Sequence, residues 1–340
     1  MSPQITFKSN NSAATGGALV DSPERAGALV LTQIVRAPFV PSHGRTPSLL
    51  PEQPEGLLDL GPAAALRVTG PEREQWLQGM QSADVGAIAE DAAAATTFLG
   101  GKGRLVAEGL IWRRGEALLA TVEPERLEPL RAHLDKLLIM EDCELGLATG
   151  LHRLRYYPGE SPLAAAPALS GSLQPLGFEL LVTDAEAREL LAAVPLRAAP
   201  GLLESYRVAL GVPAWGHDFD TETTPLEAGL DRAISYSKGC YVGQEVVAMA
   251  TYRGRVSWNL VRLEVKGAAP QPGTRLGAAL ASGKKGRVTS SAQVGETALL
   301  LGYVHRELIV AGSQVPLEDG RMATVLGLPY GSLPGAGVCA

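Results

Sequence analysis

Near Arg253 the chain changes period, and that change limits what it can fold into. From about Leu58 up to that point, stretches that alternate every second residue are followed by stretches with apolar residues three and four apart. Beyond it, NLVRLEV, GRVTSSA, TALLLGYV, SQVPLED and MATVLGLP are short strands separated by Gly and Pro turns, with no helical period between them. The first region predicts a layered α+β domain, the second a small barrel or sandwich.

Within the first region, AALRVTGPEREQWLQGM reads as a strand and then a helix opened at Thr69-Gly70, with Pro71 in its first turn, where the missing N–H costs nothing. TTFLGGKGRLVAEGLIWRRGEALLATV reads as two or three strands with Gly-rich turns. In EPERLEPLRAHLDKLL, Leu127, Leu130, Leu134 and Leu137 share one helical face. DCELGLAT is a further strand, and an Ala/Pro/Ser-rich bridge, SPLAAAPALSGSLQP, follows. In GFELLVTDAEARELLAAV a capping box of Thr183 and Glu186 separates strand from helix. Two successive units of this kind predict an α+β domain of two related halves over residues 56–252, followed by a C-terminal β-barrel domain over 253–340. Residues 1–55, rich in Ser, Pro, Gly and Asn, read as a disordered leader.

A length of 340 residues suits two or three such domains. The net charge of −6 excludes a broad, non-specific nucleic-acid binder, so no direct nucleic-acid contact is expected. The most apolar run, AGALVLTQIVRAPFV, is broken by Thr32, Gln33, Arg36 and Pro38 and falls short of the ~18 residues of a membrane span. The N-terminus lacks a basic region leading into an apolar core, so no secretory signal is expected. Three scattered cysteines, Cys143, Cys240 and Cys339, form no disulfide framework. A soluble, cytoplasmic protein in a reducing compartment is the expectation.

Metal ligation by the chain alone is not expected. His43, His133, His152, His217 and His305 show neither HxH nor HExxH spacing, and no cysteine has a CxxC partner. GGKGR at 100–104 lacks the spacing of a phosphate loop and reads as a hairpin turn. Neither GxSxG nor GxGxxG occurs.

The stretch with chemical promise is SKGCYVGQEVV, 237–247. Lys238 stands two residues before Cys240, and a nearby cation favours the reactive thiolate. Gly239 and Gly243 allow close approach of a ligand or partner. Arg253 and Arg255 are further cations that could fold back. An ordinary buried cysteine is the competing reading, and the polar, glycine-flanked context favours function. Upstream, Asp218, Asp220, Glu222 and Glu227 lie close in sequence to Tyr206 and Trp215, a set that could hold a flat heterocycle between carboxylate and aromatic wall or could be a solvated acidic loop.

The order Arg207, Gly211, Pro213, Gly216, Asp218, then Pro225-Leu226-Glu227, then Lys238-Gly239-Cys240-Tyr241-Val242-Gly243-Gln244-Glu245 resembles the YgfZ family of folate-binding proteins, in the superfamily of the glycine-cleavage aminomethyltransferase GcvT. The resemblance extends through VTGPEREQWLQGMQSADV, FLGGKGRLVAEGLIW and GRVTSSA and covers roughly Leu58 to Tyr330. It implies a folate pocket at the centre of the α+β region with a C-terminal β-barrel closing one side. It implies tetrahydrofolate or a derivative as cofactor, and iron–sulfur client proteins, tRNA-modifying enzymes among them, as partners in cluster assembly or repair. Cys240 and Lys238 correspond to the key pair, Cys240 lying beside the folate pocket with Lys238 keeping it a thiolate. Glu227 is the expected pterin-binding carboxylate, with Arg207, Tyr241 and Gln244 also expected at the folate. Aminomethyltransferases carry an Asp-Asp pair where LVAEGLI has Ala107 and Glu108, so their acid/base is expected to be absent, and their Arg-Leu-Glu is Arg207-Val208-Ala209. A one-carbon transferase is therefore the second reading and a non-catalytic folate-sensing scaffold the third.

Overall fold

The computed structural model describes residues 45, 47–157, 170–174, 176–253, 256–277 and 286–329. Most of the leader, most of the Ala/Pro/Ser bridge, and Arg255 and Cys339 lie outside the described residues. Three antiparallel sheets organise the rest.

The first sheet has the order β3-β4-β5-β2-β6, from β2 (Ala65–Thr69), β3 (Ala93–Leu99), β4 (Leu105–Arg114), β5 (Ala117–Val122) and β6 (Glu144–Ala148). Helices α1 (Arg73–Met80) and α2 (Leu127–Asp135) cover one face, burying Trp76, Leu77, Leu130 and Leu134 against Leu66, Phe98, Ala107 and Ile111. Helix α1 opens at Arg73 rather than at Pro71. Gly70 (φ +99) turns the chain so tightly against Asp142 and Cys143 that a Cβ would fall 2.6 Å from a backbone oxygen, and the helix begins only after that turn.

The second sheet has the order β1-β7-β9-β8, from β1 (Gly56–Pro62), β7 (Leu151–Tyr157), β8 (Ser170–Gln174) and β9 (Gly177–Thr183). Helix α3 (Asp184–Ala193) covers it, and the capping box of Thr183 and Glu186 is formed in full. Its core joins Leu57, Leu154, Leu180, Val182 and Ala187. The two sheets meet through Leu110, Trp112, Leu119 and Leu181.

Helix α4 (Leu202–Leu210) leads into the third sheet, of order β11-β12-β10-β14-β13: β10 (Trp258–Lys266), β11 (Val288–Val294), β12 (Thr297–His305), β13 (Gln314–Pro316) and β14 (Met322–Gly327). Helix α5 (Gln244–Arg253) precedes it. The barrel expected from the sequence is not confirmed as a closed sheet: the five named strands leave two edge strands, β11 and β13. Residues 273–277 span its two edges: Arg275 bridges Arg287 and Leu276 bridges Leu317, and the Leu276 and Gly277 amides bond the Gly286 and Pro316 carbonyls. Val208 and Ala209 of α4 pack on one face, against Leu260, Leu299 and Leu301. The other face holds a separate core of Val261, Leu263, Leu300 and Val325.

Among the described residues no helix is long and apolar enough to cross a membrane.

Candidate functional site

Where the first two sheets face each other beside α4 there is a cavity of about 410 Å³. Strand parity decides which side chains reach it. On β4, Ala107 and Ile111 point into the helix-covered core, so Glu108 and Leu110 point the other way, into the cavity wall. Arg153 and Arg155 of β7 share a face for the same reason, and Glu179 of β9 stands directly opposite Arg155. Trp215 and His217 complete an aromatic side, with the Arg126 guanidinium 4.8 Å from the Trp215 ring centre.

The charges are tightly held. Glu179, 4% exposed, accepts from Arg153 Nη2 at 3.1 Å and from Arg155 Nη2. Burial pushes its carboxyl up, but the two guanidiniums outweigh that and hold it below the ordinary range. Glu108 lies 3.6 Å from Arg232; burial pushes its carboxyl up against the attraction of Arg232 and Arg153. Ala107 is apolar, but the cavity-facing position of the pair is 108, and it carries a carboxyl group.

Arg207 also lines the cavity, yet its five donors are all taken. Nε and Nη2 bond Glu204, Nη2 also bonds Ser290 Oγ at 2.7 Å, and Nη1 bonds the Val212 carbonyl and Asp218, each at 2.7 Å. Asp218 is fully buried and also accepts from Thr289, Ser290 and the Ala214 amide. This network ties α4 to β11, so Arg207 builds the wall rather than reaching from it. The acidic loop of the sequence is in this sense a buried fastening at Asp218.

The thiol lies elsewhere. Cys240 is exposed and is not among the residues lining the cavity. Its loop is pinned along α1. Lys238 Nζ donates to the carbonyls of Gln78, Gln81 and Ala83 at 2.5, 2.6 and 2.8 Å, and the Val242 and Ser235 amides bond the Gly79 and Ser82 carbonyls. An ammonium has three donors, and all three are engaged here, so Lys238 has none left for the thiol. Its part in the expected pair is first of all to hold the loop. Burial pushes Lys238 down to about 8, against the charge of Asp84, which favours the ammonium.

Two glycines lock this loop to the GGKGR turn, which forms as expected with the Gly103 amide on the Gly100 carbonyl. Gly243 (φ +82) lies where a Cβ would meet Leu99 at 2.7 Å and the Gly100 oxygen at 2.9 Å. Gly103 (φ +69) lies where one would meet Val246 at 2.5 Å. Tyr241 is buried beneath Lys238, whose Nζ is 5.1 Å from its ring centre, and burial pushes its phenol up to about 12. Gln244 opens α5. Glu227 caps its own turn, accepting from the Thr224 amide and hydroxyl at 3.1 Å.

Of the six residues singled out in the sequence, then, four (Lys238, Cys240, Tyr241 and Gln244) share one loop, Arg207 lines the cavity and Glu227 does neither. Sequence reasoning missed Arg153, Arg155 and Glu179 altogether and passed over Glu108. Among the described residues, no three His, Cys, Asp or Glu side chains are grouped to hold a metal.

No protein-family model matches the chain. It is 28% identical over 326 residues to the tRNA-modifying protein YgfZ of Serratia proteamaculans, covering 87% of this chain and 97% of that one. It is 30% identical over 250 residues to the tRNA-modifying protein YgfZ of Escherichia coli, covering 65% and 76%. The crystal structure of the glycine cleavage system aminomethyltransferase T from Bartonella henselae shares the fold, with a TM-score of 0.63 at 18% identity over 82% of this chain and 88% of that one.

Proposed function

The chain belongs to the YgfZ family, and on that premise we propose that it binds tetrahydrofolate or a derivative in the cavity between its first two sheets. In this reading it serves as an accessory factor for assembly or repair of iron–sulfur clusters in client enzymes, tRNA-modifying ones included. The observation that carries the folate reading is the cavity itself. Its volume of about 410 Å³ falls in the usual range for small-molecule sites. Its wall combines an indole, carboxyl groups suited to ring N–H donors and guanidiniums suited to a ligand's carboxylates. The buried Nε atoms of Arg153 and Arg155 have no hydrogen-bond partner, so the wall retains donors for a ligand. In this reading Glu108 is the carboxyl group that meets the pterin, while Glu179 stays paired with Arg153 and Arg155 and Glu227 caps its own turn.

Cys240 acts in this proposal at the surface, on the client, and Lys238, Tyr241 and Gln244 hold it there. The cluster is the client's cargo. Titrating the protein anaerobically with tetrahydrofolate should quench its tryptophan fluorescence saturably, and Trp215→Phe should remove most of that change. A linear, unsaturable response would sink the folate reading. For the thiol, Cys240→Ser should fail to restore a cluster-dependent tRNA-modifying activity in a strain lacking its own family member. Full rescue would move the function away from the thiol.

Glu108 favours a second reading, one-carbon transfer from a small amine, because strand parity puts its carboxyl group in the cavity wall and burial pushes its pKa up. Methylene-tetrahydrofolate formed from an amine donor by the wild type but not by Glu108→Gln would establish it.

A further inference from the structure

Arg153 and Arg155 are only partly satisfied: Glu179 holds both, Tyr157 engages Arg155, and the Val122 carbonyl engages Arg153. Two guanidiniums on one face of β7 share a single buried carboxylate, Glu179, and each keeps a buried Nε without a hydrogen-bond partner. Glu123 comes within 3.7 Å of Arg153, but its side chain is 47% exposed, so water screens that pair. Buried ion pairs persist when their charges are matched and their donors satisfied; a surplus cation in a low-dielectric wall is costly until an anion completes it. On the far side of the same two arginines lies a second, smaller cavity of about 210 Å³, with Leu60 and Pro62 among its apolar walls. Val122, Glu123, Arg153 and Arg155 line both.

We propose that Arg153 and Arg155 form a carboxylate-binding subsite, which takes the acidic end of the ligand whose ring occupies the larger cavity, with any extension beyond that carboxylate entering the smaller one. The planar fork of a guanidinium suits a carboxylate better than it suits a neutral amide. Resting on the folate reading, this assigns the two ends of the molecule. The ring lies toward Glu108 and Trp215, and the glutamate carboxylate lies against the arginines. The subsite therefore discriminates between ligands whose glutamate carries free carboxylates and ligands in which these are neutral amides.

The test compares tetrahydrofolate with its α,γ-diamide, in which both glutamate carboxylates are neutral amides, by calorimetry on the full chain. Wild type should bind tetrahydrofolate roughly 10- to 100-fold more tightly, the range expected for a charge-assisted contact. Arg155→Met should bind both with the affinity of the diamide. That variant leaves Arg153 and Glu179 as a one-to-one pair, so ligand-free protein should melt no lower than wild type. Arg155→Lys, which keeps the charge and loses the fork, should retain part of the preference. If wild type binds both ligands equally, or Arg155→Met weakens both alike, the subsite is overturned and the folate reading stands. If neither ligand binds wild type, both fall together.

Discussion

The cavity wall and the Cys240 loop use cations in opposite ways. In the wall, Arg153 and Arg155 are enclosed and keep donors over. In the loop, Lys238 lies beside an exposed thiol and has all three of its donors engaged by backbone carbonyls. In the proposal above, the unused donors of the wall are what a ligand carboxylate completes. A fully matched donor beside an exposed nucleophile marks what must stay still. The reactive-looking pair of the sequence is thus a thiol and its anchor, and the polar groups with unused capacity lie in a different part of the molecule.

Four substitutions press on that contrast. Glu179→Gln would leave two buried guanidiniums without their carboxylate and should cost about 3–5 kcal/mol in urea unfolding. Unchanged stability would mean that solvent already screens the wall, and the distinction between the regions would collapse. Gly243→Val would force a side chain into the backbone of the GGKGR turn at positive φ and should cost about 2–3 kcal/mol. Faster alkylation of Cys240 should accompany it; a variant as stable as wild type would show the loop to be free of the turn.

Asp231 lies on the segment joining the two regions, next to Arg232 of the cavity. It is 2% exposed, its Oδ1 has no hydrogen-bond partner, and burial pushes its carboxyl up to about 7. Because the folded state holds that proton more tightly than the unfolded chain, stability should fall as pH rises from about 4 to about 7. Asp231→Asn should flatten this slope and gain about 1–2 kcal/mol at pH 8. An unaltered profile would locate the titration elsewhere. Smallest in global terms, Lys238→Met should cost about 1 kcal/mol. Its effect should concentrate in faster hydrogen exchange at the Val242 amide, with exchange in the cavity strands β4 and β7 unchanged. A change spread evenly over both regions would deny that the loop is separately anchored.

The loop was legible in the sequence because its residues are contiguous: Lys238 to Glu245 form one string whose glycines and cation each have a local meaning. The Thr183–Glu186 cap and the GGKGR turn were legible for the same reason. The cavity was not. In LHRLRYY and GFELL, alternation says that Arg153 and Arg155 share a face and that Glu179 stands apart from its apolar neighbours, but it cannot say whether that face meets water or another sheet. Only the packing of one sheet against the other turns those outward-reading charges into a wall. Glu108 could have been found, since strand parity separates it from Ala107 and makes it the wall-facing member of the pair. The C-terminal strands were identified correctly as short strands, but closure depends on how edge strands meet, which turn spacing does not encode.

The glycine contacts between the GGKGR turn and the thiol loop bear on how the protein comes into being. Gly103 and Val246 lie about 140 residues apart along the chain, so they meet only through a long and slow loop closure. The β3–β4 hairpin can form early from neighbouring residues, whereas the Cys240 loop has no seat until that hairpin stands and α1 offers its carbonyls. The thiol's displayed position therefore rests on contacts between segments about 140 residues apart in the chain.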